Sequence, residues 1–159
     1  MAFSLAPVVE ADFDELAALR VAALRPSLER IGRFDPQRAI GRFRATFRPA
    51  DTCRIVVGGA SAGCVGFWAE PIDAARADPG RAMRVEHFYI AAPFQGRGLG
   101  GAVLTRLLDS APDGVELFRV GALRDSDANR FYQRHGFVKT SEDEWDIAYE
   151  RPRHAPAAG

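Results

Sequence analysis

The chain has 159 residues, 21 basic and 21 acidic side chains, 47% hydrophobic and 26% charged residues, and a formal net charge of +0. That length and balance suit one domain with a full core, and exclude a disordered chain, two ordinary domains, or an overall field that gathers nucleic acid or anionic membrane. No apolar run approaches the ~20 residues of a membrane span, and the opening MAFSLAPVVE lacks the basic start and long apolar core of a secretory signal.

Ser4 to Val9 is short and β-branched and reads as a first strand. Asp12, with Glu15 three residues on, has the spacing of a capping box and starts a helix whose apolar face carries Phe13, Leu16 and Leu19, until Pro26 interrupts it. Asp35-Pro36 is a second helix start, an N-cap followed by proline in the first turn. Ile40, Phe43 and Phe47 form one face of that helix, and Pro49 closes it. The period then changes to that of strands. Cys53 to Val57 and Val65 to Glu70 read as a hairpin turning around Gly58 to Gly63. Pairing about that turn sets Cys53 near Trp68 and Cys64 near Val57, too far apart for a disulfide, so a reducing, cytoplasmic setting is expected.

Pro71 to Gly80 is a polar connection, and Ala82 to Ile90 a longer strand. Then come a glycine segment and a helix to about Ser110, a strand over Val115 to Val120, a short helix over Asp127 to His135 and a terminal hairpin over Phe137 to Tyr149. Residues 1–150 are expected to form one domain. The tail from 151, RPRHAPAAG, has nothing to bury and is expected to be disordered. The order β-α-α-β-β-β-α-β-α-β-β implies an α/β (α+β) fold with one mixed, mostly antiparallel sheet and helices on its faces.

The glycine segment carries the chemistry. Gln95, Gly96, Arg97, Gly98, Leu99, Gly100 and Gly101 lie between a strand and a helix whose buried stripe is Leu99, Val103, Leu104, Leu107 and Leu108. The first turn of that helix has unsatisfied N–H groups at the positive end of the dipole. Glycines there remove the Cβ atoms that would keep a ligand away, which makes an anion site suited to a phosphate or pyrophosphate. Several glycines in one first turn, at about 1 kcal/mol each, argue against an idle turn. Gly96, Gly98 and Gly101 spell the dinucleotide fingerprint, but Ala91 to Phe94 intervene after the strand. Glu116 lies at the wrong end of the next strand for the ribose acid, and about 58 residues after Gly101 are too few for a doubly wound fold. No GK[ST] is present, so a P-loop is excluded.

Gln95-Gly96-Arg97-Gly98-Leu99-Gly100 resembles the Q/R-x-x-G-x-G/A motif of GNAT-type N-acetyltransferases. Ala128 to Phe137, ANRFYQRHGF, resembles that superfamily's A-x-x-L/F-Y-x-x-x-G-F segment, in the family's order and at its separation. The resemblance implies acetyl-CoA as cosubstrate, no metal, and a sheet splayed at a cofactor cleft between Ala82–Ile90 and Val115–Val120. It further implies pantetheine hydrogen-bonded to the backbone of Phe88, Tyr89 and Ile90 as an added strand, with the pyrophosphate on the N–H groups of Arg97 to Gly101. Tyr132 matches the family's tyrosine by spacing and is the candidate acid for the departing thiolate. Glu86, which alternation places on one face with Arg84 and Phe88, is the candidate base for an amine protonated at neutral pH, with His87 on the other face ranked second. Where the family commonly has asparagine seven residues before the tyrosine, this chain has Asp125, and Asn129 follows Ala128. Both are candidate cofactor contacts.

The resemblance implies a small-molecule amine or a peptide amine as acceptor, and no nucleic acid or membrane partner is expected. Such folds are commonly homodimers, so a dimer is compatible. Arg25, Arg30, Arg33, Arg38, Arg42, Arg44 and Arg48 in the first helical region, and Glu142, Asp143, Glu144 and Asp146 around Trp145, fit either a zwitterionic acceptor or solvated faces that pair across the surface. A non-catalytic acyl-CoA-binding or sensor module is the alternative function.

Overall fold

The computed structural model describes residues 2–154. The elements follow the expected order: β1 (Ser4–Pro7), α1 (Phe13–Arg30), α2 (Pro36–Thr46), β2 (Thr52–Val57), β3 (Ala60–Pro71), β4 (Arg81–Ile90), α3 (Leu99–Asp109), β5 (Leu117–Leu123), α4 (Ala128–Arg134), β6 (Val138–Glu142) and β7 (Asp146–Pro152). They build an α/β fold on one mixed seven-stranded sheet in the order β1-β2-β3-β4-β5-β7-β6. The β4–β5 ladder is parallel, with α3 as its crossover, and runs from Ala82↔Leu117 to Val85↔Val120. Contacts divide the chain into two compact units, Met1–Gly66 with His87–Val103, and Phe67–Glu86 with Leu104–Gly159.

In the first unit, Leu16, Ala17, Phe43, Cys64 and Val8 form a buried cluster, with Phe13, Leu19, Ile40, Phe47 and Tyr89 packed against it. Phe13 stacks on Phe43 at 5.3 Å between centroids, and Phe47 closes the trio at 5.1 Å from Phe43. The N-cap at Asp35 forms as expected, its carboxylate accepting from Arg38 N at 3.1 Å with Pro36 in the first turn. Two local expectations fail. The Asp12 carboxylate accepts backwards from Val9 N at 2.9 Å and pairs with Arg54 at 3.0 Å, and Glu15 also joins Arg54, so neither side chain is left to close a box on α1. Pro26 lies inside α1 rather than breaking it. Burial of Ser27 and Leu28 beyond it supplies the packing that outweighs one missing backbone donor.

The β2–β3 hairpin turns on two residues, Gly58 (φ 56°) and Gly59 (φ 80°), both left-handed, and not on the longer stretch the sequence suggests. The shorter turn changes the register: Cys53 opposes Val65 and Cys64 opposes Arg54. The two thiols therefore point to opposite faces of the hairpin, and both are free. Within β3, Gly63 leaves no room for a side chain, because a Cβ there would lie 2.2 Å from the Tyr89 carbonyl oxygen and 3.2 Å from Ile90 Cα.

His87 lies in β4 with a left-handed φ of 51° and is buried. That backbone breaks the extended run on which the alternation from Arg84 to Phe88 rests. Its ring meets Phe43 edge-on at 4.6 Å. The Thr46 hydroxyl donates to the Arg42 carbonyl, which leaves it to accept from His87 Nε2–H at 2.8 Å. Nδ1 is buried without a hydrogen-bond partner. Burial first, and Arg20 second, push the imidazole down to about 4, against the upward pull of the contact with Thr46.

In the second unit, β5 reads with period two: Phe118, Val120 and Ala122 are buried, while Leu117, Arg119 and Gly121 are not. Leu104, Leu107, Leu108, Tyr132, Phe137 and Tyr149 complete that core. The first residues of the expected tail, Arg151 and Pro152, belong to β7. Pro152 pairs with Leu117, Arg153 N donates to the Glu116 carbonyl at 2.9 Å, and the Arg153 guanidinium donates to the Ala111 carbonyl at 2.8 Å. Residues 155–159 lie outside the described residues.

Two outcomes follow from these contacts. Gly63→Ala is expected to destabilise by about 1–3 kcal/mol because the obstacle is backbone, whereas Gly41→Ala, inside α2 with nothing within 4 Å of the new Cβ, stabilises by up to about 1 kcal/mol. Paired denaturant melts check the opposite signs. For His87, the unfolded chain takes up the proton near 6.5 and the folded chain only near 4. Its contribution is therefore full above pH 6.5 and disappears as pH falls to about 4, worth about 3 kcal/mol over that window. His87→Asn, which tolerates the left-handed backbone, should flatten the stability–pH curve between those values, and an unchanged slope would contradict the assignment.

Candidate active site

The glycine segment is built from the end of β4 upward. Ala91 N donates to the Ala62 carbonyl at 2.8 Å, a short 3₁₀ turn covers Ala92–Phe94, and the Gln95 side-chain amide donates back to the Ile90 carbonyl at 2.8 Å. Gln95, a candidate ligand contact, is thus also the brace of the turn. Gly96 (φ 74°) and Gly98 (φ 79°) are both left-handed, and a Cβ on either would meet nothing within 4 Å. Their requirement is conformational, and the space above them is open.

Leu99 is buried at the start of α3, with Val103 and Leu104 on the same stripe, so the helix is anchored while its N-terminal turn stays accessible. Gln95, Gly96, Arg97 and Gly98 are exposed; Gly100 and Gly101 are half-buried. The first N–H groups of α3 lack intrahelical carbonyls by helix geometry, and they follow directly on the open glycine turn. Phe88, Tyr89 and Ile90 belong to the part of β4 beyond the last residue of its ladder with β5, Val85. Tyr89 is pinned from its hydroxyl: Arg20 donates to it through Nη1, and to the Ala39 carbonyl through Nε at 3.0 Å. One arginine of α1 thereby ties α2 to the end of β4.

Glu86 is half-buried and faces Arg84, with 3.8 Å between Oε2 and Nη1, which agrees with the expected shared face of those two side chains. Arg84 is also bound by Glu70, which pairs with Arg119 at 3.3 Å, and Arg119 with Glu150 at 2.9 Å. The candidate base therefore sits at the end of a four-strand charge ladder. His87, ranked second, is sealed against Phe43 and held neutral by burial.

In the second unit, Tyr132 is 5% exposed, with its ring at 5.7 Å from Phe137 and 6.4 Å from Tyr149. Asn129 is heavily engaged within this unit: its Nδ2 donates to the Leu123 and Ser126 carbonyls at 3.0 and 2.9 Å, and its Oδ1 accepts from the Tyr149 hydroxyl at 2.7 Å. Its evident work is to fix the β5–α4 turn and a core tyrosine. Asp125 is exposed in that turn at φ 64°, a conformation that asparagine and aspartate tolerate best among residues with a Cβ. This gives a physical reason for Asp125 at the family's asparagine position.

Several arginines of α1 and α2, and Arg48 just beyond α2, pair with acids of their own unit: Arg25 with Glu29 at 2.7 Å, Arg48 with Asp51 at 3.1 Å, Arg44 with Glu10 and Arg38 with Asp35. Glu142 pairs instead with Lys139 at 3.1 Å, and the Asp143 carboxylate accepts from Trp145 N and Asp146 N. Most of these pairs lie within four residues of each other in sequence; Arg44 with Glu10, and Glu142 with Arg124 at 3.6 Å, reach further. Sequence reasoning missed Gly63, Arg20 and the strained His87 backbone. A glycine inside an apolar strand is the one signal that pointed to any of them.

Among solved structures, an acetyltransferase from Thermus thermophilus is similar over 96% of this chain and 97% of its own, at 20% identity and a TM-score of 0.68. The PaiA N-acetyltransferase from Thermoplasma acidophilum, solved in complex with coenzyme A, matches over 96% and 99% at 12% identity and a TM-score of 0.64. Arabidopsis thaliana Naa50, solved with the bisubstrate analogue CoA-Ac-MVNAL, matches over 95% and 99% at 18% identity and a TM-score of 0.63. At these identities the likeness concerns the fold. No curated protein matches the chain. The model of the acetyltransferase (GNAT) domain matches residues 51–139, more than half of the chain, from the first strand of the hairpin through the glycine turn and the tyrosine helix; the chain belongs to the GNAT acetyltransferase family.

Proposed function

We propose that this protein transfers an acetyl group from acetyl-CoA to an amine by direct attack in a ternary complex. The observation that carries the reading is the pair of exposed, left-handed glycines, Gly96 and Gly98, with open space above both, at the N-terminus of a helix anchored by Leu99. That arrangement fits a pyrophosphate on the N–H groups from Arg97 to Gly101, with the exposed Arg97 guanidinium as a charge-assisted donor. The backbone of Phe88, Tyr89 and Ile90 takes the pantetheine arm as an added strand. The coenzyme A complex of the Thermoplasma neighbour supports this choice of donor.

When bound, acetyl-CoA supplies an activated acyl thioester. The protein's part is proton handling. Glu86 takes the proton that an ammonium must lose before its nitrogen can attack, and Tyr132 gives one to the departing sulfur. Asp125 and Asn129 support the site through the turn that carries Tyr132. A small-molecule amine or a peptide amine is the acceptor, and the Arabidopsis neighbour's peptide analogue makes the second worth testing first. Among the described residues no helix is long and apolar enough to cross a membrane.

Calorimetric titration with acetyl-CoA, with NADH in parallel, tests the donor. Micromolar binding of acetyl-CoA alone is expected. Gly98→Ala, which forces a Cβ onto a left-handed backbone, should weaken it about tenfold or more; binding of NADH instead would overturn the reading. Turnover is then followed by thiol release over an amine panel. Tyr132→Phe should lower kcat by roughly tenfold or more, and Glu86→Gln should remove the acidic limb of the pH–rate profile. Tight binding with no thiol release from any amine would identify a non-catalytic acyl-CoA module.

A further inference from the structure

A second feature lies wholly within residues 105–154 and shares no residue with the glycine turn. A pocket of about 580 Å³ is lined by the second half of α3, the start of β5, the end of α4 and the end of β7. That volume falls in the range of small-molecule sites. Its charged lining is one-sided: Arg134, His135, Arg151, Arg153 and His154 against Asp109 alone.

The five basic groups differ in how they are engaged. The Arg153 guanidinium is bound to the Ala111 and Pro112 carbonyls. Arg151 and Arg134 have no carboxylate partner among the described residues. The Arg151 Nε is buried and has no hydrogen-bond partner. A buried donor on a permanent cation is costly to leave unpaired, and such a group calls for an acceptor. Its placement is specific. Arg151 pairs across the sheet with Phe118, and its stem crosses Gly136, where a Cβ would lie 3.4 Å from the same Nε. Gly136, left-handed at φ 85°, ends α4, and the Arg151 stem packs over it at ordinary contact distance. The His135 imidazole is held below its ordinary value, by burial first and then by Arg134 and Arg151, which is the sign of a positive local potential.

We propose that this pocket is a binding site for a small oxyanion, a phosphate- or carboxylate-bearing metabolite, with Arg151 and Arg134 as its guanidinium donors. Planar guanidinium groups suit either oxyanion through paired N–H donors. The site is separate from the acetyl-transfer reading and stands whether or not acetyl-CoA binds.

The test is residue-resolved NMR on uniformly ¹⁵N-labelled protein at low ionic strength, titrated with inorganic phosphate and, separately, with succinate. At least one of the two should give saturable shifts at the Arg151 Nε–H and at the His135 and Gly136 amides, and the one that saturates identifies the class. Arg151→Lys, which keeps the charge and the stem but loses the planar fork, should weaken that binding roughly tenfold. Arg134→Ala should weaken it as well. Arg76→Ala, an exposed arginine outside the pocket, should leave it unchanged. The proposal is overturned if neither anion saturates, if only the Gly96–Gly101 amides shift, or if the Arg151 and Arg134 variants bind as the parent does.

Discussion

The end of β4 is held by two direct main-chain contacts and one side-chain brace. The Tyr89 carbonyl occupies the place that a Cβ on Gly63 would take, Ala91 N donates to the Ala62 carbonyl, and the Ile90 carbonyl receives the Gln95 amide. These three contacts set where the chain leaves the strand, and so where the two left-handed glycines start α3. Side-chain contacts alone would leave such a turn looser, because an aliphatic side chain can change rotamer while an apposed backbone cannot. Arg20 adds the outer restraint by holding the Tyr89 hydroxyl. A glycine turn able to accept an anion needs this rigidity, since N–H groups that must reorganise on binding lose part of what they contribute.

His87 carries the same logic one step back along the strand. A left-handed backbone at a residue with a Cβ is strained, and a buried imidazole with a bare Nδ1 adds a second unfavourable feature. Both persist because Phe43 and Thr46 of α2 over-determine the ring, and because the Cys64 thiol donates to the His87 carbonyl at 3.3 Å. The helix that supplies Phe43 is thereby coupled to the direction in which Phe88 to Ile90 leave the bend. This link joins hydrophobic packing in the first unit to the strand end that the proposed cofactor would pair with.

The sequence was most legible where one local pattern dominates. Period-two burial in β5, the Asp35-Pro36 cap, the stripe from Leu99 to Leu108 and the order of the helices and strands were readable because neighbours in the chain determine them. The two motifs were readable because glycine at fixed spacing serves a backbone conformation, and φ values of 74° and 79° at Gly96 and Gly98 show which one. What escaped depends on partners distant in sequence. Asp12 and Glu15 turn to Arg54, far along the chain, instead of to each other. Pro26 stays in α1 because packing overrides propensity. The hairpin register turned on which two of several glycines form the tight turn, and misplacing that turn displaced every cross-strand pair, the cysteines included. The order of residues 151–154 escaped because RPRHAPAAG offers no apolar face, while Arg153 is held by carbonyls that composition does not reveal.

Charge explains the remaining division of labour among the arginines. A chain with 21 cations and 21 anions has enough carboxylates to neutralise every guanidinium, yet the pairing is uneven. On α1 and α2 the pairs are mostly exposed and close in sequence, which makes them weak contributors to stability and poor candidates for recognition. In the ladder from Glu70 through Arg84 and Arg119 to Glu150, half-buried partners on four successive strands constrain one another, and a charged row takes the place of an apolar sheet face. Glu86 touches that row through Arg84, so its carboxylate is oriented without being enclosed, which suits the proton exchange proposed for it. Arg151 is the opposite case, a cation whose Nε is enclosed without an acceptor. Leaving that Nε unpaired beside Gly136 is a cost to folding, and it is the observation on which the proposed oxyanion site rests.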